Sequence, residues 1–505
     1  MLSLDEFMPA PRVDRARRIL VEWALFVAFG VWFLVARSYI EDDAFIHLEF
    51  AKNVDEGRGF AFDGQPVFGD SSPLWVFSLV ALGKIGVDLE LAIKLLAVAG
   101  CGLYVWSIRR LCQRFPERGE RVWTYAAITF GVTLNPYVMT WVFSGMESVT
   151  AAALATLVVA AALDQSISAS RRVLTVAGFT AAGALLRGEI GLLGLGLLGE
   201  LCMNASFRKT GRRARLTRFA IAASLALAPL AVWMVYAKLT LGSFMPTTHL
   251  TQRFGAVFSF GGWLDATARL CTILVGGYGV PLTAAIACIA PRWRELTSPQ
   301  DRPLRIALGW AVGLCAFYVV NRSIVQSRDM LLLTPSIIVI LITALRRASA
   351  YADKRPLRAA VGVIVVATLY LDLASVLPLV LVKDRYVARV DEFTSFLQNE
   401  LDPTWPIAIY NVGQVAYQSP QPIVDTGGVM RPSVPKLPWR ASEVDTHALV
   451  AWSKAQGARC FAPGDPQDAE QTLLYDRPIP DISRTFTPWV AQPDQRLQLR
   501  CLKSR

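Results

Sequence analysis

Charge is what this chain has least of. Only 18% of its 505 residues are Asp, Glu, Lys or Arg, while 53% are hydrophobic. That balance excludes an ordinary soluble globular protein of this size. No Cys-x-x-Cys pair and no His/Cys spacing of a zinc site occurs, so a structural zinc module is excluded. There is no low-complexity run and no clear internal repeat. The long apolar runs lack the period-two alternation of strands, which excludes a membrane barrel and leaves helices. A typical cleaved signal peptide is missing as well: the run 19–40 is too long for a signal-peptide core and has no small-residue cleavage site before Glu41.

What is present is a series of apolar runs of about 17–25 residues along positions 1–382, the length that spans a bilayer as helix. The fold class expected is an α-helical polytopic membrane protein of about 11 transmembrane helices, followed by a small C-terminal α/β extracytoplasmic domain over 383–505. The net charge of +11 lies largely in short basic loops and reads as a topology signal rather than nucleic-acid binding. Arg12, Arg15, Arg17 and Arg18 place the N-terminus in the cytoplasm. The segment 73–86 is short, and counting it as a span puts every later basic loop on the wrong side. The expectation is a re-entrant or interfacial helix there, with the tail outside.

The tail is rich in Pro, Asp and Gln. Its short alternating runs, such as Pro406 to Tyr410, read as strands, and Val387 to Leu401 reads as an amphipathic helix. Cys101, Cys112, Cys202, Cys271, Cys288 and Cys315 fall in spans or near the inner face and read as small buried hydrophobes. Cys460 and Cys501 are alone in the tail. In an oxidising compartment they are expected to pair.

The chemistry concentrates on the outer loops. Glu41, Asp42 and Asp43 follow the first apolar run directly. Carboxylates are costly within the apolar layer, and a paired acid at a membrane surface suits proton abstraction or cation binding; a capped helix end is the plainer reading. His47 lies four residues after Asp43, on the same helical face. Asp70 before Ser71, Ser72 and Pro73 reads as a helix cap. Glu147 sits at a helix N-terminus, favoured by the dipole. Arg187 and Glu189 lie within an apolar hairpin and need partners. Arg328 and Asp329 open a span, and the planar fork of Arg328 suits phosphate. Lys238, His249, Gln252 and Arg253 add donors. An acid pair and several cations at one membrane surface suit a lipid-linked phosphate donor and a hydroxyl acceptor.

These motifs resemble the GT-C superfamily of integral-membrane glycosyltransferases, within it the bacterial arabinofuranosyltransferase-like proteins. Asp42-Asp43-Ala44-Phe45-Ile46, Ala51-Lys52-Asn53 and Glu56-Gly57-Arg58-Gly59 are similar to the family's first loop. Ser144-Gly145-Met146-Glu147-Ser148 resembles its S-G-L-E-T, and Leu186-Arg187-Gly188-Glu189 its L-R-P-E with Gly188 for proline. In Gly242 to Gln252, Pro246 and Thr248 match, while Thr247 and Gln252 stand where the family has Asn and Lys. Asp425-Thr426-Gly427-Gly428 resembles the tail's D-x-x-G. The resemblance implies an inverting glycosyltransferase of the bacterial cytoplasmic membrane, using a polyprenyl-phosphate sugar and a glycan, lipid or protein acceptor. It implies a catalytic acid at Asp42 or Asp43, as base or as ligand of a divalent cation (Mg or Mn). The substrate-binding candidates are His47, Glu147, Arg187, Glu189, His249 and Arg328. A transporter or flippase for a lipid-linked glycan is the alternative. It would place charges at mid-membrane in repeated halves, whereas these acids lie at span ends and no repeat exists.

Overall fold

The computed structural model describes residues 12–115, 121–203, 211–247, 260–289, 302–349, 355–410, 412–428, 430, 446–462, 464–478 and 496–503. The chain opens with α1 (Arg12–Ala36) and α2 (Asp42–Asp55), then a two-stranded hairpin of β1 (Ala61–Phe62) and β2 (Gln65–Pro66). Next come α3 (Pro73–Lys84), α4 (Leu89–Cys112), α5 (Arg121–Ile128), α6 (Pro136–Trp141), α7 (Ser148–Leu163), α8 (Ala169–Ala184) and α9 (Glu189–Met203). The long helices α10 (Arg212–Leu241), α11 (Phe260–Ile289), α12 (Arg302–Val320), α13 (Thr334–Ser349), α14 (Arg355–Leu371) and α15 (Leu377–Glu400) complete the helical body.

Helix starts follow local chemistry. Asp88 opens α4 by accepting from the amides of Glu90 and Leu91 at 2.9 and 3.1 Å, and Asn135 opens α6 ahead of Pro136 in the same way. Each segment expected to span carries helix, and six helical stretches among the described residues are long and apolar enough to cross a membrane. Pro73–Lys84 has 12 residues, about 18 Å of helix, well short of the ~30 Å apolar layer.

Helix α7 is the centre of the body. It is apolar and buried all round, as a helix without a polar face must be. Its alanines let α4 approach closely: a side chain at Gly100 would run into Thr150. Helix α10 lies at the other extreme. It exposes Ile221, Val232, Val235 and Leu239, a face suited to lipid. Cys271 on α11 is likewise exposed, not buried as expected, because that helix turns one apolar face outward. Cys101 and Cys202 are buried.

The last span does not end in a turn. A π-helical segment, Asp372–Val376, joins α14 to α15, and α15 continues as one helix to Glu400. It therefore crosses position 382–383 and carries the sheet of the tail, with Phe393 and Phe396 packed on Tyr475 at 5.1 and 5.2 Å between ring centres. The tail elements are β3 (Ile407–Ile409), α16 (Val412–Gln418), β4 (Ile423–Asp425), α17 (Thr446–Ala455), β5 (Cys460–Ala462), β6 (Gln471–Pro478) and β7 (Arg496–Leu502). Strand order is β4-β3-β5-β7-β6, with β4, β3 and β5 parallel and β7 antiparallel to both neighbours. Cys460 and Cys501 face each other in the β5–β7 register and are disulfide-bonded. The bridge closes a separation of 41 residues, which contributes about 4 kcal/mol in the chain-entropy account.

The tail is docked on the first loop through main-chain contacts. The amide of Ile423 donates to Asp63 Oδ2 at 2.8 Å, and Lys52 Nζ donates to the Tyr417 carbonyl at 3.1 Å. The amides of Gly413 and Gln414, opening α16, donate to the Asp42 carboxylate at 3.2 and 3.0 Å. Gly413 is required by this approach, because a Cβ there would penetrate the Asp42 carbonyl. Gly413→Ala is therefore expected to cost about 1–3 kcal/mol through forced displacement. Thermal unfolding of the purified variant measures it. An unchanged midpoint would show that the two segments do not touch.

Candidate functional site

The peptide following α1 sets the position of everything else. Lys94, buried within α4, donates to the carbonyls of Ala36, Tyr39 and Phe143. The amide of Glu41 donates to the Ser144 carbonyl at 2.9 Å. These bonds tie the Glu41-Asp42-Asp43 segment to the Ser144-Gly145 turn. Gly145 has φ +87° and lies against Ala44 and Ile93, a conformation and a space that suit only glycine. Trp75 donates to its carbonyl at 3.0 Å. Glu41 itself pairs with Lys383 of α15, which also donates to Tyr39 Oη at 2.8 Å.

Beside this junction lies a cavity of about 300 Å³. Its polar wall contains Asp43, His47, Asp70, Glu147, Arg187, Glu189, Arg328 and Asp329. Its apolar wall contains Phe68, Leu230, Trp233, Met234, Phe244 and Met245. The charge comes from α2, the turns before α3, α7 and α9, the start of α9 and the loop before α13, while α10, the segment after it and Phe68 of the segment before α3 supply apolar surface.

The charges are ordered as alternating signs. Asp70 pairs with His47 Nδ1, and His47 Nε2 lies 3.2 Å from Glu147 Oε2. Glu147 meets Arg187 Nη1 at 3.3 Å. Arg187 Nη2 also reaches Glu189, at 3.4 Å, and Asp329. Tyr318 donates to Glu189 at 2.9 Å. Arg328 Nη2 meets Asp43 Oδ2 at 2.6 Å, and its guanidinium stands 5.5 Å from the centre of the Trp141 ring. Trp141 is held by donating to Ser327 at 2.8 Å.

Protonation follows from this order. Burial alone would lower the pKa of His47, but the charge and hydrogen bond of Asp70, with Glu147, raise it to about 10. Burial alone would raise Glu147, but His47, Arg187 and Arg328 hold its carboxyl down at about 2. Asp42 is pushed up to about 7 by burial, against the lowering effect of the Gln414 and Gly413 amides.

The neighbouring acids part company. Asp43 opens on the cavity with its side chain 37% exposed, whereas Asp42 turns to α16. A divalent cation held by both does not fit this arrangement, since one carboxylate is spent on two amides and the other on a guanidinium. Among the described residues no three His, Cys, Asp or Glu groups are placed to hold a metal. His47, Glu147, Arg187, Glu189 and Arg328 are brought together. His249 lies outside the described residues, as do Gln252 and Arg253. Lys238 stays out of the cavity and donates to the Gly242 carbonyl at 3.0 Å.

Two acids gained a place that sequence reasoning did not give them. Asp70 does shape the turn before α3, accepting from the Ser72 amide at 2.7 Å, but its other oxygen serves His47. Asp329 starts the helical turn before α13 and also serves Arg187. Tyr318 and Trp141 sat within apolar runs and carried no local signal. Lys94 and Lys383 did carry one, as cations in apolar surroundings.

His47→Gln would leave Asp70 and Glu147 buried without the cation between them, at a cost of about 3–5 kcal/mol. The folded pKa lies above the ordinary value of 6.5. The stabilisation is thus complete below about pH 6.5 and fades as pH rises through about 10. Unfolding midpoints of wild type and variant should differ most at pH 6 and converge toward pH 10. A pH-independent difference would mean that the imidazole is neutral.

No protein-family model and no curated protein matches the chain. Solved structures do. The crystal structure of ArnT from Cupriavidus metallidurans bound to undecaprenyl phosphate superposes with a TM-score of 0.55 at 14% identity, covering 95% of this chain and 98% of that one. The cryo-EM structure of the arabinofuranosyltransferase AftD from Mycobacteria gives 0.49 at 16% identity, covering 96% of this chain and 40% of AftD. The chain is thus a multi-pass membrane protein with a GT-C-like fold, shared with ArnT over nearly the whole length of both.

Proposed function

We propose that the protein is an inverting glycosyltransferase that moves a sugar from a polyprenyl phosphate to an acceptor hydroxyl at the outer face of the bacterial cytoplasmic membrane. The observation that carries this reading is Arg328. Its Nη2 holds Asp43, while its Nε is buried with no acceptor among the described residues. A buried guanidinium donor left free beside a cavity suits an anion entering that cavity. The fold it shares with ArnT, a structure that carries undecaprenyl phosphate, supports a lipid phosphate as that anion. The apolar wall of the cavity, continuing on to the exposed face of α10, suits the lipid chain.

In this reading the acceptor oxygen forms a bond to the anomeric carbon from the face opposite the phosphate. The carbon–oxygen bond to the phosphate breaks, and its electron pair leaves with the polyprenyl phosphate. The hydroxyl proton passes to the Asp43 carboxylate. Arg328, fixed on the Trp141 face, answers the charge that grows on the departing phosphate. Arg187 is kept in reach by Glu147 and Asp329. His47, Asp70 and Glu189 position these groups. Asp42 is a docking residue for the tail rather than the base. No step uses a metal. The tail disulfide supports placing the tail in an oxidising compartment outside the cytoplasm, with the N-terminus inside.

Purified enzyme supplied with a panel of polyprenyl-phosphate sugars should release polyprenyl phosphate from at least one. Asp43→Asn should lower that turnover at least ~100-fold, and should also lower the unfolding midpoint, since Arg328 loses its carboxylate partner. Asp42→Asn should keep most of the turnover. Equal loss in both variants would return the base to the pair as a whole, and full activity of Asp43→Asn would remove the assignment.

A further inference from the structure

A second concavity lies alongside α2, between Lys52 and Tyr417, whose ring stands 5.8 Å from that of Phe45. It measures about 400 Å³ and is lined by Lys52, Asp391, Thr394, Ser395, Gln398, Tyr417 and Gln418. Three helices build it: α2 of the first loop, the C-terminal part of α15, and α16 of the tail. Four of these seven side chains are neutral amides or hydroxyls; the others are one carboxylate, one ammonium and one aromatic ring.

These side chains hold one another still. Asp391 Oδ1 accepts from Gln414 at 2.7 Å and Gln418 at 3.0 Å. Thr394 donates to Gln418 Oε1 at 3.0 Å, and Gln398 donates to the Gln418 carbonyl at 2.6 Å. Lys52 Nζ stands 5.5 Å from the Tyr417 ring centre. Fixed planar amides and a carboxylate with spare lone pairs match vicinal hydroxyls. Such a surface offers little to an apolar chain, and its mixed charges offer little to an anion.

Helices α2 and α16 pack side by side between the pocket and the edge of the reaction cavity. Helices α2 and α16 start together, where Asp42 accepts from the amides of Gly413 and Gln414. They meet again where Lys52 donates to Tyr417. From Asp42 to Lys52 is about 15 Å of helix, a distance that a short oligosaccharide covers. At the near end Tyr410, 59% exposed, precedes α16 and lies close enough to Asp43 and Asp425 to feel both charges. Its carbonyl and ring edge back on Gly427. An exposed aromatic ring beside the base offers a flat face to the ring of an acceptor sugar.

We infer that the concavity between α2, α15 and α16 is a distal acceptor subsite that binds a hydroxyl-rich glycan chain whose terminal sugar reaches Asp43 across Tyr410. This rests on the glycosyl-transfer reading and narrows its acceptor from glycan, lipid or protein to a glycan of several sugars. The subsite takes no part in bond making. It raises the local concentration of the correct acceptor end and selects for chain length.

The test uses the full-length enzyme in detergent, without donor. The probes are oligosaccharides of one to six sugars released from the cell's own envelope polysaccharide by mild acid and sized by gel filtration. Binding is followed by saturation-transfer NMR. Wild type should bind probes of three or more sugars at least ~10-fold more tightly than single sugars, the gain expected from joining two sites. Ser395→Trp, which fills the concavity, and the paired change Ser395→Ala with Gln398→Ala should lose that gain while binding of the shortest probes stays as it was. Asp43→Asn should retain the full gain, so a failure of the transfer chemistry is read separately from a failure of the subsite. Affinity independent of length in wild type, a gain that survives Ser395→Trp, or no binding of any probe would overturn the inference.

Discussion

Buried charge must find opposite charge, and this constraint organises the protein. Eight ionisable side chains line one small cavity, and within protein at the edge of an apolar layer none can stay ionised alone. The chain meets the demand by alternation: Asp70, His47, Glu147, Arg187 and Asp329 in one series, with Arg328 and Asp43 beside it. Each link joins elements far apart in sequence, so the series also sets how α2, α7, the α8–α9 turn and the start of α13 meet. Site geometry and packing are the same contacts here. An error in one helix position unpairs a charge.

The fate of the acid pair shows how a helix start divides two labours. Successive residues on a helix point about 100° apart. Asp43 therefore faces the cavity and Arg328, while Asp42 faces the tail and receives two amides from α16. The result is a direct mechanical link between the tail sheet and the charged cavity. The disulfide and the aromatic contacts of Tyr475 make the sheet and α15 firm, and α15 returns to the same junction through Lys383 and Glu41.

Much of this was legible in the sequence because it rests on local signals. Apolar length located the helices, including α3 with its 12 residues. Alternation located the tail strands around Cys460 and Cys501, and those two cysteines are bonded. Placement on the outer loops gathered His47, Glu147, Arg187, Glu189 and Arg328 into one place. What escaped was what depends on long-range register. Nothing near Asp42 says that its partners lie at Gly413 and Gln414. Asp70 has a sufficient local explanation as a turn former, and that masked its bond to His47. Trp141 and Tyr318 are ordinary apolar-run residues until Arg328 and Glu189 are placed against them. The break expected between the last span and the tail helix is absent, because α15 runs unbroken from Leu377 to Glu400.

The central claim is that the Arg328 guanidinium and the Asp43 carboxylate face one phosphate-bearing lipid across this cavity. The most direct measurement is a cryo-EM structure of the full-length protein with polyprenyl phosphate added. The account predicts density for the phosphate within hydrogen-bonding distance of Arg328, and for the lipid chain along the wall of Trp233, Met234 and Phe244. Phosphate density elsewhere on the molecule, with the Asp43–Arg328 contact intact and the cavity empty, would contradict it.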